Sequence, residues 1–168
     1  TLLIGIFTVI LFYKILINVT KSKKAALAGA LLFMFTPLFF NSSYTFMTEV
    51  YFLFTINLSF YYFYKFYETE KNKFLFISSS FVLVSSLIRQ PGLAVGVAFS
   101  ITYLLNNRFS IRNLALSLTP TITGIVGLFS YSLWLQITNR DTNLSSFEII
   151  IKQLTEAPIE YFLIRFGV

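Results

Sequence analysis

The sequence predicts an all-α protein, a polytopic transmembrane helical bundle with about six spans. Of its 168 residues, 56% are hydrophobic and only 12% are charged, and its mean hydropathy is +0.74. Soluble domains are about 25% charged, and half of that charge cannot keep a globule of this size in water. The apolar residues also fall into runs that approach the roughly 20 residues needed to cross a bilayer as a helix, with short polar stretches between them.

The predicted spans follow one another with short connections. The first is apolar apart from Lys14, whose aliphatic stem lets its ammonium group reach the lipid headgroups. The second holds Pro37 near its end, where a proline breaks or kinks a helix. A polar stretch at 41–43 precedes the third span, and a charged stretch at 65–73 precedes the fourth. The six predicted spans cover residues 1–19, 25–40, 48–64, 74–88, 93–105 and 114–135.

The fourth and fifth spans are predicted to form a short helical hairpin that is broken from Arg89 to Gly92. The alternative is one continuous helix over residues 74–105, kinked at Pro91. Such a helix would extend about 48 Å, whereas the hydrocarbon core is about 30 Å thick. Each arm of the hairpin is short, since about 15 residues reach only about 22 Å. Arg89 is therefore expected below the headgroups, facing protein or a water-filled cavity rather than lipid.

The sequence further predicts a division into a transmembrane domain, residues 1–135, and an extracytoplasmic loop, residues 136–168. The second region is polar and contains an amphipathic stretch at 147–154 that suits a membrane interface. It closes with an apolar run that predicts the start of a further span. Because the chain begins at Thr1 inside one apolar run and stops as another begins, we expect it to be a fragment of a longer polypeptide.

Positive charges in alternate connections predict the orientation in the membrane. Eight Lys or Arg residues occupy the stretches 20–24, 65–73 and 106–113, whereas the connections on the other side, 41–48 and 89–92, carry only Arg89. Cytoplasmic connections are enriched in Lys and Arg, so Glu49 and Arg89 are predicted on the extracytoplasmic side. The same clustering in short loops argues against nucleic acid as a partner, despite the net charge of +6. The eight residues are Lys21, Lys23, Lys24, Lys65, Lys71, Lys73, Arg108 and Arg112.

The residue types that are missing limit the chemistry. The sequence has no Cys and no His, so it offers no disulfide, no thiolate ligand for a metal and no histidine base. Acid–base or metal chemistry must use Asp, Glu or Tyr, and only seven Asp and Glu residues are present.

Two ionisable residues inside apolar sequence are the candidate site. Glu49 lies in the first turn of the third span, whose start Thr45 or Thr48 is predicted to mark, and Arg89 ends the fourth span. Both charges suit their helix ends structurally, but charges at membrane depth are more often functional. Glu49 could then bind a divalent metal, accept a hydrogen bond from a sugar hydroxyl, or orient Arg89. Arg89 would bind an anion such as phosphate, with Gln90 assisting it and the ring of Tyr44 stacking on a sugar.

The stretches Thr36-Pro-Leu-Phe-Phe-Asn-Ser-Ser-Tyr-Thr-Phe-Met-Thr-Glu49 and Ser85-Ser-Leu-Ile-Arg-Gln-Pro-Gly92, in this order and on one side, resemble the GT-C class of membrane glycosyltransferases. The likeness covers roughly residues 25–105 and is greatest to the family-39, protein-mannosyltransferase-like bacterial members. It implies an integral protein of the bacterial inner (plasma) membrane that takes a polyprenyl-phosphate-linked sugar as donor and acts on the extracytoplasmic face.

The resemblance also implies roles for residues. Glu49 would match the acid at the start of a helix lining the active site, and Arg89 the basic residue near the donor phosphate. The family's principal catalytic carboxylate would precede Thr1, so we expect the chain alone to be inactive. A divalent metal is an open alternative for Glu49, and the sugar, hexosyl or pentosyl, and its acceptor stay undefined.

Two other functions remain open at this level. A transporter or lipid flippase would also use buried Glu and Arg residues with a broken helix, although it predicts an inverted repeat that the sequence does not display. A non-catalytic membrane subunit would use Glu49 and Arg89 as a structural ion pair.

Overall fold

The computed structural model describes residues 1–45, 47–106 and 111–138, and the described residues form seven α-helices and no strand. The predicted all-α class is therefore confirmed. The helices are α1 (Leu2–Thr20), α2 (Lys23–Met34), α3 (Pro37–Tyr44), α4 (Thr48–Thr69), α5 (Asn72–Ile88), α6 (Gly92–Asn106) and α7 (Ile111–Ile137).

The membrane character is visible in the length and surface of these helices. Within the described residues, α1 and the 113–135 part of α7 are long and apolar enough to cross a membrane, and α2 with α3 makes a third if the bent pair is one span. The helices α5 and α6 are apolar but shorter. Large apolar side chains lie exposed on many faces, including Leu32 and Leu38, as expected where lipid replaces water. An integral membrane bundle is confirmed, while the predicted count of about six spans agrees only loosely.

The second predicted span was not one helix. It ends at Met34, turns at Thr36, and restarts as α3 with Pro37 at its first position, so that α2 and α3 meet at a bend of 61°. Proline lacks the N–H that would continue the helix but suits a first turn, where that N–H has no partner. The helix α3 then continues to Tyr44 and absorbs the polar residues 41–43 that were predicted to be a connection.

The connection between α1 and α2 and the connection between α4 and α5 use the same type of short turn. Lys21 follows α1 and Glu70 follows α4, and these are the described non-glycine residues with positive φ, 54° and 51°. In each, the backbone N–H returns to the carbonyl four residues earlier, at 3.0 Å to Ile17 and 2.8 Å to Phe66. This left-handed ending lets the next helix begin after one more residue and run back along the first. In α4 this turn comes after Thr69, past the predicted end of the span at residue 64.

The core lies between α4, α5 and α6. Phe63 of α4 stacks on Phe99 of α6 with ring centroids 4.0 Å apart, and both side chains are buried. Between α4 and α5 the buried residues Ser59 and Ser78 bond to each other, with the Ser78 hydroxyl donating to the Ser59 carbonyl at 2.9 Å. Small hydroxyl residues allow two membrane helices to approach closely, and their hydroxyl groups form hydrogen bonds between the helices.

The predicted hairpin at Arg89–Gly92 is confirmed, and the single long helix is excluded. α5 ends at Ile88 and α6 begins at Gly92. The two arms lie against each other, since a Cβ on Gly96 would come 3.1 Å from Val82 Cγ1. Near the turn the approach is closer still, because a Cβ on Gly92 would lie 2.5 Å from backbone atoms of Ser85 and Ser86.

The chain divides into two compact units, residues 1–128 and 129–168. In the second unit the described residues are 129–138, which include the end of α7, where the rings of Tyr131 and Trp134 stack with centroids 6.1 Å apart. The amphipathic stretch at 147–154 and the start of a further span lie outside the described residues, and the division at residue 135 stays a prediction.

Candidate active site

Glu49 is the second residue of α4. The residue before the helix is Met47, in extended backbone, and it makes no side-chain capping bond. Of the two residues predicted to mark this start, Thr48 is the first residue of α4, whereas Thr45 follows α3, where its hydroxyl lies 3.2 Å from the Asn41 carbonyl. The Glu49 carboxylate therefore stands beside first-turn N–H groups that no side chain caps, where a negative charge is favourable.

Arg89 is the residue that follows α5, and its backbone is held on both sides of a tight turn. Its N–H donates to the Ser85 carbonyl at 2.9 Å, and its own carbonyl accepts from the N–H of Gly92 at 2.9 Å. The backbone at Arg89 is extended, with φ −149° and ψ 133°, so α5 does not continue through it. The guanidinium group thus starts from a fixed point at the C-terminal end of α5, where positive charge is favourable.

The two predicted residues meet in the structure. Nη2 of Arg89 donates a hydrogen bond to Oε1 of Glu49, and the two side chains form an ion pair. The side chain of Glu49 is 27% exposed and that of Arg89 is 44% exposed. The pair therefore joins the start of α4 to the end of α5 while part of the guanidinium group stays accessible.

The close approach at Gly92 is what sets the position of this pair, and the sequence prediction did not single it out. Because any side chain at Gly92 would collide with the backbone of Ser85 and Ser86, glycine is required for the turn that carries Arg89. The signal in the sequence is a pair of serines before the turn and a glycine after Pro91, a pattern of small residues that permits close helix contact.

The other two predicted site residues are not brought into this pair. Tyr44 ends α3, is exposed, and packs its ring on Phe40 with centroids 5.0 Å apart. Gln90 is exposed in the turn, and its carbonyl accepts from Leu93 N–H at 3.1 Å. In the described part of the chain, neither side chain bonds to Glu49 or Arg89. Their predicted substrate-binding roles stay predictions.

The residues around Glu49 do not by themselves resemble a metal site. Among the described residues there is no group of three or more His, Cys, Asp or Glu side chains that could hold an ion. The carboxylate of Glu49 instead faces the guanidinium of Arg89, a neighbour that competes with a cation for the same oxygen.

Comparison with known proteins identifies the family. The family model of dolichyl-phosphate-mannose-protein mannosyltransferase matches residues 1–99, more than half of the chain, and this segment contains both Glu49 and Arg89. Neither the curated proteins nor the solved structures gave a match. The family match agrees with the helical membrane architecture and with the resemblance carried by the two sequence motifs. The chain therefore belongs to the dolichyl-phosphate-mannose-protein mannosyltransferase family of membrane glycosyltransferases.

Proposed function

We propose that this protein transfers a sugar from a polyprenyl-phosphate donor to an acceptor hydroxyl at the extracytoplasmic face of a bacterial plasma membrane. The observation that supports this most is the contact between Glu49 and Arg89 inside the family-matched segment. It joins an acid and a guanidinium at the ends of two apolar helices, where the phosphate of a lipid-linked sugar would have to be bound.

Arg89 suits the phosphate of the donor. A guanidinium group carries five N–H donors, and the contact with Glu49 uses Nη2. The remaining donors, on a side chain that is 44% exposed, are left for phosphate oxygens. Guanidinium binds phosphate strongly because two parallel N–H groups match two oxygens. Glu49 then acts as a supporting acid that orients Arg89.

In the proposed reaction the oxygen of the acceptor hydroxyl attacks the anomeric carbon of the sugar. The bond from that carbon to the phosphate oxygen breaks, and its electron pair stays on the polyprenyl phosphate. The hydroxyl proton passes to a carboxylate base, a role that the family resemblance gives to a carboxylate other than Glu49. Arg89 stabilises the negative charge that develops on the leaving phosphate.

The length of α4 supports the proposed depth. Glu49 near its start and Glu68 near its end are separated by about 28 Å along a helix, close to the thickness of the hydrocarbon core, about 30 Å. The lysine-rich connections lie at the Glu68 end. If that end is cytoplasmic, as Lys enrichment indicates, the Glu49–Arg89 pair lies at the extracytoplasmic boundary.

The ion pair also favours a second candidate, a non-catalytic membrane subunit. Both charges occupy the helix ends that suit them, and a structural pair would be built in the same way. The two candidates differ in what they require of Arg89. A structural pair needs only a positive charge near Glu49, whereas a phosphate site needs the accessible N–H groups.

The test compares variants of the full-length protein in native membranes, supplied with polyprenyl-phosphate mannose as the first donor. Transfer is measured as consumption of the donor, and insertion as the amount of protein in the membrane. We expect Arg89→Ala to lower turnover about 100-fold, as loss of a donor to a developing oxyanion does. Arg89→Lys should keep a fraction of it, and Glu49→Gln should lower it less than Arg89→Ala.

Lys14→Ala is the matched control, because Lys14 lies on α1 and is not part of the pair. Full turnover in both Arg89→Ala and Glu49→Gln, at normal membrane abundance, would contradict an active site at this pair and favour the subunit. Movement of the donor across vesicles without its consumption would instead favour a transporter.

A further inference from the structure

Six lysines gather at the end of α4 that is opposite Glu49. They lie in the connection between α1 and α2 with the first turn of α2, in the connection between α4 and α5 with the first turn of α5, and on α4 itself at Lys65. We call this surface the lysine platform; its members are Lys21, Lys23, Lys24, Lys65, Lys71 and Lys73.

Tyr64 joins the two connections into one surface. Its hydroxyl accepts from Lys21 Nζ at 3.2 Å and donates to Glu68 Oε1 at 2.6 Å. The same hydroxyl lies 3.3 Å from the carbonyl oxygen of Asn18 at the end of α1. Lys21 Nζ and Glu68 Oε1 are themselves 3.9 Å apart. The lysines of both connections therefore share one end of the α1–α4 packing.

Aromatic rings hold part of the platform. Lys65 Nζ lies 4.8 Å from the ring centroid of Tyr61 and 5.7 Å from that of Phe74, and Lys73 Nζ lies 5.0 Å from the Phe74 centroid. Ammonium groups over ring faces are attracted electrostatically. A Tyr beside lysines at the end of an apolar helix is typical of the membrane–water interface, so these ammonium groups are expected at headgroup depth.

The platform carries more positive charge than its own acids can neutralise. Against six lysines, its helix ends provide Glu68 and Glu70, which leaves a net charge of +4. In the described part of the chain, Lys21 is the platform lysine that lies within ion-pair distance of a carboxylate. The other five have no carboxylate partner among these residues, and four of them are exposed.

We propose that the lysine platform binds the phosphate groups of anionic phospholipids. Clusters of four or more lysines next to membrane helices attract anionic lipid, and here the ring contacts keep two of the ammonium groups in the headgroup layer. A soluble acidic protein would need the lysines to extend into water instead. This inference does not rest on the proposed transferase activity.

The test measures binding of short-chain phosphatidylglycerol to the purified full-length protein in a neutral detergent. Lys65→Gln with Lys73→Gln should weaken binding roughly fivefold for each lysine removed at low salt, and added salt should reduce the difference. Lys65→Arg with Lys73→Arg, which keeps both charges, should bind like the unchanged protein. Lys14→Gln, outside the platform, should also bind normally.

Acetylation of individual lysines, read by mass spectrometry in nanodiscs, locates the site. Phosphatidylglycerol in place of phosphatidylcholine should slow acetylation of the platform lysines. A second double variant, Lys23→Gln with Lys71→Gln, leaves the ring contacts intact and keeps the test valid if Lys65→Gln destabilises the fold. Equal binding by the Gln and Arg variants would overturn the proposal, as would protection of the platform by polyglutamate but not by phosphatidylglycerol.

Discussion

The two ends of α4 carry polar groups of different kinds. At the start of the helix, Glu49 makes one ion pair with Arg89 across to α5. At its end, Tyr64, Glu68 and Lys21 form several contacts that connect α4 to α1. The connections differ as well, since the lysine end uses left-handed turns at Lys21 and Glu70, whereas Arg89 is carried by a turn that depends on Gly92.

This difference indicates how each end tolerates change. At the lysine end, the Tyr64 hydroxyl, the Glu68 carboxylate and the Lys21 ammonium group all contact one another. If one of these contacts is lost, the others still connect α4 to α1. At the other end, in the described residues, a single ion pair depends on a turn so close that a Cβ on Gly92 would lie 2.5 Å from the backbone of Ser85 and Ser86. The geometry of the candidate active site should therefore be the more fragile of the two.

Exchange of the two charges should give the largest effect. In the double variant Glu49→Arg with Arg89→Glu, the opposite charges are still adjacent, but each now stands at the unfavourable end of a helix. Membrane abundance should recover relative to either single reversal, while donor turnover stays about 100-fold below that of the unchanged protein, because the phosphate site has lost its guanidinium position. Recovery of turnover together with abundance would mean that the pair is structural.

Gly92→Ala should be the most destabilising single substitution at this end. The new methyl would meet the backbone of Ser85 and Ser86 at 2.5 Å, so α5 and α6 must separate, at a cost of about 3 kcal/mol. Gly29→Ala is the matched control, because there the methyl meets only Cδ1 at the tip of Leu16, at 2.7 Å, and Ala gains about 1 kcal/mol of helix propensity. The free energy of unfolding in mixed micelles measures both, and equal losses would contradict the fixed turn.

Substitutions at Ser59 and Ser78 test the contact between α4 and α5 that lies between the two ends of α4. Each Ser→Ala change should cost about 1 kcal/mol, and the double variant should cost less than the sum, since the two hydroxyls share their bonds. Ser80→Ala is the control, because Ser80 is exposed on α5 and, among the residues that the structure describes, bonds only to the Phe76 carbonyl of its own helix. Additive losses at 59 and 78 would show that the two serines act independently.

Tyr64→Phe should have the smallest effect, a loss of about 1 kcal/mol or less. The substitution removes the Tyr64 hydroxyl, which contacts Lys21, Glu68 and Asn18, but it leaves the Lys21–Glu68 contact in place. Tyr61→Phe on the same helix is the control, since in the described residues Tyr61 makes ring and lysine contacts that do not use its hydroxyl. A loss above that of Gly92→Ala would reverse the comparison of the two ends.

Much of the fold could be predicted from local sequence. The hairpin between α5 and α6 followed from Pro91 and Gly92, and the break near Pro37 was anticipated as a kink but not as a 61° bend with a new helix. The helix α4 is longer than predicted, because a run of charged residues after Lys65 predicts a loop but lies within the helix as far as Thr69. Charge alone does not end a helix; the left-handed residue Glu70 does.

The candidate site was predictable only in part. The count of loop charges put Glu49 and Arg89 on one side, and the structure pairs them. It does not join Tyr44 or Gln90 to that pair. The contact of Tyr64 with Lys21 had no signal in the sequence, since it depends on how two helices face each other. The approach of Gly92 to Ser85 had only the pattern of small residues around Pro91.

The sequence by itself determined the membrane environment, the helical class and the approximate ends of most helices, because hydropathy, proline and glycine act locally along the chain. Only the tertiary structure decided which faces meet: Ser59 with Ser78, Phe63 with Phe99, Glu49 with Arg89. The reason is that lipid solvates every apolar face about equally, so hydropathy does not select a packing face. Close fit of small residues and hydrogen bonds between helices makes that choice.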